Sequence, residues 1–345
     1  MKILLCLAAV GCACALWAWP AAIPGTVPIG PVFTDSDLVC AARVQTASPA
    51  ATSFALAPAG REDTASIRLE DVYKGSEPQP QMVKVRYAPA NFGAQNGTPV
   101  LTPGETVLLF LRMISPGVYT FTEKDISTTQ FSRISPLSGV PSGPSKLELA
   151  LVQIVETGNH NDRINAMQLL EGFDQPSPET LSAVAPLYSS PDPEEQFLAL
   201  GILLKTKTPA ALNTVRYYLQ TYWGAQQPMS IIALGTEISQ ITNPLALLDL
   251  EALSGSRFVS VQYGAMQAIR SMRSSKSASF LIRKLDDSNP IISYEALITL
   301  NDIFNKNGNY GPSIPLFNKN PQNYIQLWKQ WWKDEGRARF GDSSS

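Results

Sequence analysis

The sequence predicts a multidomain α and β protein, in which a small N-terminal β-barrel is followed by an α-solenoid of paired helices. Three observations carry this prediction. Ala166, Ala199, Ala233, Ala265 and Ala296 recur at steps of 33, 34, 32 and 31 residues, each inside a short apolar run. A fixed period in this range marks stacked repeats. Pro178, Pro209 and Pro244 recur in a second phase, directly behind Ser177, Thr208 and Asn243; an N-cap residue followed by proline is a helix start signal. Upstream, between about residues 33 and 135, the pattern changes to short alternating runs separated by turn residues, which read as strands.

The first segment is a leader. Lys2 precedes an uncharged apolar stretch from Ile3 to Trp19 that Pro20 closes. These are the n- and h-regions of a secretory signal, too short and poorly flanked for a membrane span. Residues 1–22 are therefore expected to direct export, to a periplasmic or envelope-associated location with secretion as the alternative. Leu7-Ala-Ala-Val-Gly-Cys12 looks like a bacterial lipoprotein box, which makes Cys12 a candidate for lipidation and a membrane tether. Ordinary cleavage nearer Ala15 or Ala22 is the other possibility. Cys6, Cys12 and Cys14 all fall in the leader, which leaves Cys40 alone in the mature chain and without a disulfide partner. Cys40 lies in the apolar run 37–44, so it reads as a buried, inert thiol.

The barrel is read from five runs. The Cys40 run comes first, then Ser66-Ile-Arg-Leu-Glu70 continuing to Val72-Tyr-Lys-Gly75, then Val83-Lys-Val-Arg-Tyr87. Glu105-Thr-Val-Leu-Leu-Phe-Leu111 is almost continuously apolar, and Val118-Tyr-Thr-Phe-Thr122 follows the turn Ser115-Pro-Gly117 as the second arm of a hairpin. Five strands in about a hundred residues suit a small barrel or sandwich. The order of a first strand, a strand ending in Val-Tyr-Lys-Gly, Pro-Gly-Glu before Leu-Leu-Phe-Leu, and a tyrosine strand resembles the netrin-like, OB-type barrel over about residues 35–125. The inhibitory cysteine of metalloprotease inhibitors with that barrel is amino-terminal. Cys40 lies inside a strand, so that role finds no matching residue.

Residues 146–305 hold the helix pairs. Asp192-Pro-Glu-Glu-Gln-Phe-Leu-Ala-Leu200 and Asp287-Ser-Asn-Pro-Ile-Ile-Ser-Tyr-Glu-Ala-Leu297 resemble HEAT repeats, in which Asp or Pro opens a helix whose Ala-Leu packs on the next unit. The resemblance implies four to five stacked pairs with one face open to a partner. HEAT units often carry an arginine just before the small residue; Gln196, Ser230, Gln262 and Ser293 lie near that place here, so the polar ladder of such arrays is absent or altered. Residues 321–340 close the array: Tyr324, Leu327, Trp328, Trp331 and Trp332 share one helical face, which suits a capping helix.

Chemistry is constrained by what the chain carries. With 27 basic and 29 acidic residues the net charge is −2, so no global basic field draws in nucleic acid. His160 is the single histidine, which excludes multi-histidine metal sites. It falls in a stretch read as an inter-helix turn. Neither a nucleophile elbow nor a phosphate loop occurs, and no cofactor or metal is expected. The carboxylate pairs Glu194-Glu195 and Asp286-Asp287 sit at helix ends, where acids have ordinary capping roles. Charge is uneven along the repeats. Residues 146–195 hold nine acids against Lys146 and Arg163, whereas residues 252–285 hold Arg257, Arg270, Arg273, Lys276, Arg283 and Lys284 and no acid. Those six cations are the candidate partner-binding residues. The resulting expectation is a non-catalytic protein-binding or scaffolding protein of the cell envelope that uses its solenoid surface. The alternatives are an enzyme with a carboxylate site at the barrel–solenoid junction, and a structural lipoprotein tethered through Cys12.

Overall fold

The computed structural model describes residues 28–47, 63–76, 81–87, 101–122, 128–222, 229–306 and 309–341; the leader and Cys12 lie outside these. Strands β1 (Leu38–Ala47), β2 (Asp63–Lys74), β3 (Met82–Tyr87), β4 (Thr106–Ser115) and β5 (Val118–Phe121) close into a five-stranded barrel. The order around it is β1-β2-β3-β5-β4, with β4 returning to β1. The β3–β5 pairing is parallel and the other four are antiparallel. A short strand, β6 (Thr128–Phe131), pairs with the first half of β4. All five strands predicted from the sequence are present.

Alternation explains which strand faces what. In β3 the side chains of Val83, Val85 and Tyr87 point inward while Lys84 and Arg86 point to solvent. β1 and β4 do not alternate in this way. Leu38, Cys40, Ala42 and Val44 of β1 and Val107, Leu109 and Leu111 of β4 fill the barrel, but Val39, Ala41, Leu108 and Phe110 on their outer side are buried as well. Successive strand residues point to opposite faces, so a run buried on both faces must be apolar throughout. The second cover comes from helices. α1 (Ile29–Asp35), α2 (Pro144–Thr157) and α3 (His160–Leu170) place Ile29, Phe33, Leu147, Leu151 and Ala166 in one cluster with Val39 and Phe110. The barrel and the first helices thus share a core.

α1 was not anticipated, because Ile-Gly-Pro-Val-Phe-Thr-Asp has poor helix propensity. Packing makes it a helix: Ile29, Val32 and Phe33 are buried, and Ile29 N–H donates to Gly172 O at 2.8 Å. Lys74, next to the glycine of Val-Tyr-Lys-Gly, donates from Nζ to the carbonyls of Phe33 (2.8 Å) and Thr34 (2.7 Å) at the end of α1, a favourable place for a cation. Gly75 follows at φ +91°, and a Cβ there would press on Asp37 O.

The helical part continues with α4 (Pro178–Val184, extended by a 3-10 turn to Ser189), α5 (Pro193–Leu204), α6 (Pro209–Thr221) and α7 (Met229–Ser239). α8 (Leu247–Leu253) and α10 (Ala278–Lys284) each begin with a 3-10 turn, at Pro244–Ala246 and Ser275–Ser277, and flank α9 (Val259–Met272). α11 (Pro290–Phe304), α12 (Ile314–Lys319), α13 (Pro321–Trp331) and α14 (Arg337–Phe340) complete it. Every N-cap foreseen in the sequence is made. Ser177, Asp192, Thr208, Asn243 and Asn289 each accept from a backbone N–H two or three residues on, with proline in the first turn.

Helices α3, α5, α7, α9 and α11 pack each against the next. Ala166, Ala199, Ala265 and Ala296 are fully buried at these crossings. Ala233 is only half-buried. There the close approach is made by glycine instead: a Cβ on Gly235 would meet Ser260 O at 2.5 Å, and one on Gly264 would collide with the carbonyl of Gly235. At the far end Trp328 and Trp331 of α13 are buried against Phe304, with ring centroids 6.4 and 4.7 Å away. Trp328 Nε1 donates to Tyr310 O at 2.9 Å. Leu327, expected on the same buried face, remains 40% exposed.

Gly264→Ala is therefore expected to lower stability by about 1–3 kcal/mol, because backbone rather than a flexible side chain must move. Gly255→Ala, whose Cβ would lie 3.3 Å from Ala252 O, should stay within about 0.5 kcal/mol. Urea-denaturation midpoints of the two variants check this.

Candidate functional site

Three regions of the described surface bear on function: a charged ridge along the first helix of each pair, the junction between barrel and helices, and the outward face of the second helices.

The ridge has a regular grammar. Glu171, Lys205, Glu237, Arg270 and Asp302 stand near the ends of α3, α5, α7, α9 and α11, at steps of 34, 32, 33 and 32 residues and with alternating sign. Lys205 Nζ lies 2.8 Å from Glu237 Oε1, and Arg270 Nε lies 2.6 Å from Asp302 Oδ2. A polar ladder is therefore present, displaced from the position before the small residue to the other end of the helix. The spacing was available in the sequence. Its phase differs from that of the position before the small residue, where such ladders usually stand. Burial opposes the charged form of Arg270, yet the hydrogen bond and charge of Asp302 prevail and its pKa rises. Glu171 has the opposite fate. It is buried against Gly201, the one residue type that leaves room for its carboxylate. Burial pushes its pKa up to about 8, with Glu237 and Glu194 adding to the effect and Lys205 opposing it.

At the junction a cleft of about 590 Å³ is lined by Glu105, Gln130, His160, Asp162 and Glu194 among others. Its carboxylates are engaged. Asp162 accepts from Ser132 N–H (2.9 Å), from the Ser132 hydroxyl and from Asn159 Nδ2 (3.1 Å). Gln130 Nε2 donates to Glu105 at 2.7 Å, and the Ser230 hydroxyl to Glu194 at 3.1 Å. His160 is the first residue of α3 and not part of a turn. Its Nδ1 is 3.1 Å from Glu195 Oε1, which also accepts from Arg163 Nε at 2.9 Å. Burial alone would raise the pKa of Glu195; hydrogen bonds from Arg163, Ser190 and His160 lower it instead. Asp286 pairs with Lys329 at 2.6 Å and Asp287 with Lys284 at 2.9 Å. Among the described residues, no group of three or more His, Cys, Asp or Glu is placed to hold a metal ion.

The six candidate cations separate into two sets. Arg270 is held by Asp302 and, at 3.6 Å, by Glu295. Lys284 is held by Asp287 and by Ser254 O at 3.1 Å. Arg257 donates to Tyr222 O and lies 4.7 Å from the Phe258 ring centroid. Arg273, Lys276 and Arg283 are exposed. The expected single patch is thus reduced: half of its members stabilise the fold.

The second helices lie side by side. Tyr188 and Tyr218 rings, 6.5 Å apart, join the end of α4 to α6; Arg216 and Asp249, 3.3 Å apart, join α6 to α8; Lys284 joins α10 to the end of α8. Their outward face changes along the row. Glu179 is exposed on α4 and Tyr217, at 60%, on α6. Leu245 and Leu248 are 81% and 77% exposed at α8, and Lys276 and Arg283 follow at α10. Two leucines this exposed, three residues apart on one helical face, were missed in the sequence because Leu245-Ala-Leu-Leu-Asp-Leu reads as a uniformly buried run. The proline at 244 starts the helix there and turns both leucines outward.

Cys40 is buried inside the barrel, and burial pushes its thiol pKa up, as befits an inert group. No helix among the described residues is long and apolar enough to cross a membrane. No family model matches the chain, and no curated protein matches it.

Glu171 generates a pH prediction. Its pKa is raised on folding from 4.5 to about 8. Between those values the folded state holds a proton that the unfolded state has lost, so Glu171 subtracts stability as pH rises through that window. Glu171→Gln should leave stability near pH 4.5 almost unchanged and raise it above pH 8. Unfolding midpoints measured from pH 4.5 to 9 test this; parallel curves for wild type and variant would show that Glu171 does not titrate there.

Proposed function

We propose that the protein is a non-catalytic scaffold of the cell envelope that binds a partner protein on the outward face of its second helices. The observation that carries this reading is the exposure of Tyr217, Leu245 and Leu248 on two adjoining helices. Large apolar side chains grouped on a surface mark interaction sites, whereas scattered ones do not. Repeat arrays bind through extended faces of this kind. The in-phase alanines, the Asp-Pro and Asn-Pro helix starts and the packing of each first helix on the next support a HEAT-like solenoid. The strand order with a parallel β3–β5 pair supports an OB-type barrel in front of it.

An enzymatic reading of the junction cleft finds less support, since Asp162, Glu105 and Glu194 are each hydrogen-bonded within the protein. Export rests on the leader pattern of residues 1–22, and tethering on the lipid box at Cys12; both belong to the proposal. Nucleic acid is not the partner proposed, given a net charge of −2.

The test is affinity capture from the envelope fraction of the native host, with wild-type bait beside Leu245→Asp/Leu248→Asp bait. The double variant should lose its captured protein by about tenfold or more, as truncation of an apolar anchor does. Equal recovery with both baits would remove the face from consideration. Intact mass of the processed chain decides the setting: a start at lipid-modified Cys12 places it on a membrane, a start near Ala15 or Ala22 makes it unanchored, and a retained Met1 ends the export reading.

A further inference from the structure

The row of second helices is self-complementary, and we infer that two copies of this chain pair across it in antiparallel order. The inference rests on the scaffold reading above and names a second copy as the partner. At the acidic end, a cleft of about 530 Å³ between α2 and α4 is lined by Glu156 and Glu179, with Leu149 and Val152 beside them. Both carboxylates are exposed and neither makes an ion pair among the described residues. At the basic end Lys276 and Arg283 are exposed and equally unengaged. Lys276 sits in the 3-10 turn that opens α10, and Arg283 in the last turn of that helix. Between the two ends stand Tyr217 and the pair Leu245 and Leu248.

Reversal is what makes this row match itself. A twofold axis between α6 and α8 sets α4 of one copy against α10 of the other, and α6 against α8. Cations then meet the carboxylate cleft at both ends, and Tyr217 packs on Leu245 and Leu248 twice at the centre. A parallel arrangement would instead set cation on cation and acid on acid. Closed pairs of this type repeat every contact by symmetry. The strip is four helices wide at about 10 Å each and about 15–20 Å long, or about 600–800 Å² per copy. That is the lower part of the range for specific interfaces. An apolar centre with charged ends is also the usual anatomy of such surfaces.

The experiment is sedimentation equilibrium of the purified full chain, with circular dichroism melts to show that each variant is folded. Wild type should dimerise in the micromolar range, and Leu248→Asp should weaken the dimer by about a hundredfold, as loss of a central anchor does. Glu156→Lys/Glu179→Lys and Lys276→Glu/Arg283→Glu should each weaken it by about tenfold. The two double variants should associate with each other when mixed, and the quadruple variant should recover wild-type affinity to within about threefold, because every end contact is restored with its sign reversed. Failure of the quadruple variant to recover would overturn the antiparallel pairing, and so would a dimer indifferent to Leu248→Asp. A monomer up to about 100 μM would overturn self-association altogether. In that last case the capture experiment still decides the scaffold reading on its own: a prey lost with the Leu245→Asp/Leu248→Asp bait keeps the face as a binding site for another protein.

Discussion

The first halves of strands β1 and β4 have no free face, and the rest of the molecule is arranged around that constraint. A five-stranded barrel fills its interior with one side of each strand. Here the other side of two neighbouring strands is apolar as well, through Val39, Ala41, Leu108 and Phe110, and exposing it would leave a patch that water disfavours. Helices α1, α2 and α3 cover it. Burial is then reinforced by polar ties that fix orientation. Lys146 of α2 reaches Asp71 of β2 and Val72 O at 3.2 Å, while the second Asp71 oxygen accepts from Leu137 N–H at 3.0 Å. Both members of that pair are nearly dry, and each has further hydrogen bonds, which is the condition under which a buried ion pair is tolerated. Asp162 performs the same task on the other side by accepting from Ser132, just beyond β6.

Much of the charge that looks like surface in the sequence belongs to this internal framework. Of the nine acids in residues 146–195, Glu148, Asp162, Glu171 and Glu195 are buried. Glu148 accepts from Ser177 N–H and the Thr180 hydroxyl, both at 2.7 Å, and so holds the start of α4 against α2. Glu195 ties α5 to α3 through Arg163. Arg270, Lys284 and Arg257 act likewise among the bases. The gradient of charge along the array is therefore weaker outside than the residue count implies. What reaches solvent is concentrated on a few side chains, Glu156, Asp174 and Glu179 at one end and Arg273, Lys276 and Arg283 at the other.

How much of this could be read beforehand depended on whether a feature was local. Caps and helix starts were legible, because an N-cap and the proline behind it act on backbone groups two or three residues away. The strands were legible from alternation and from the almost continuous apolar run of β4. α1 was not legible: Gly30 and Pro31 argue against a helix, and only docking onto Phe110 and Leu147 makes one. Ala233 stands in the periodic place of a crossing residue, yet Gly235, one half-turn on, is what the partner helix meets. The exposed apolar face was hidden for a related reason. Leucine count does not reveal direction, and Leu245 and Leu248 differ from the buried Leu247 and Leu250 only in the phase that Asn243 and Pro244 set.

A division of labour follows from where the polar groups are spent. The first helices cross at alanine and glycine, with backbones close together and the ion pairs Lys205–Glu237 and Arg270–Asp302 along one end. Such contacts leave little room for rearrangement, since packed backbones and paired buried charges resist displacement. Three of the second helices, α4, α8 and α10, are shorter than any first helix, α8 and α10 begin in 3-10 turns, and neighbouring second helices meet through contacts such as Tyr188–Tyr218 and Arg216–Asp249. Their inner residues, Leu212, Val215, Leu250 and Leu281, belong to the core, so the outward residues are free of any structural duty. A side chain with no duty in the fold can change without loss of stability, and on most helices such positions are polar. That Tyr217, Leu245 and Leu248 are apolar there runs against the solubility of the isolated chain. That cost would be offset by covering the face.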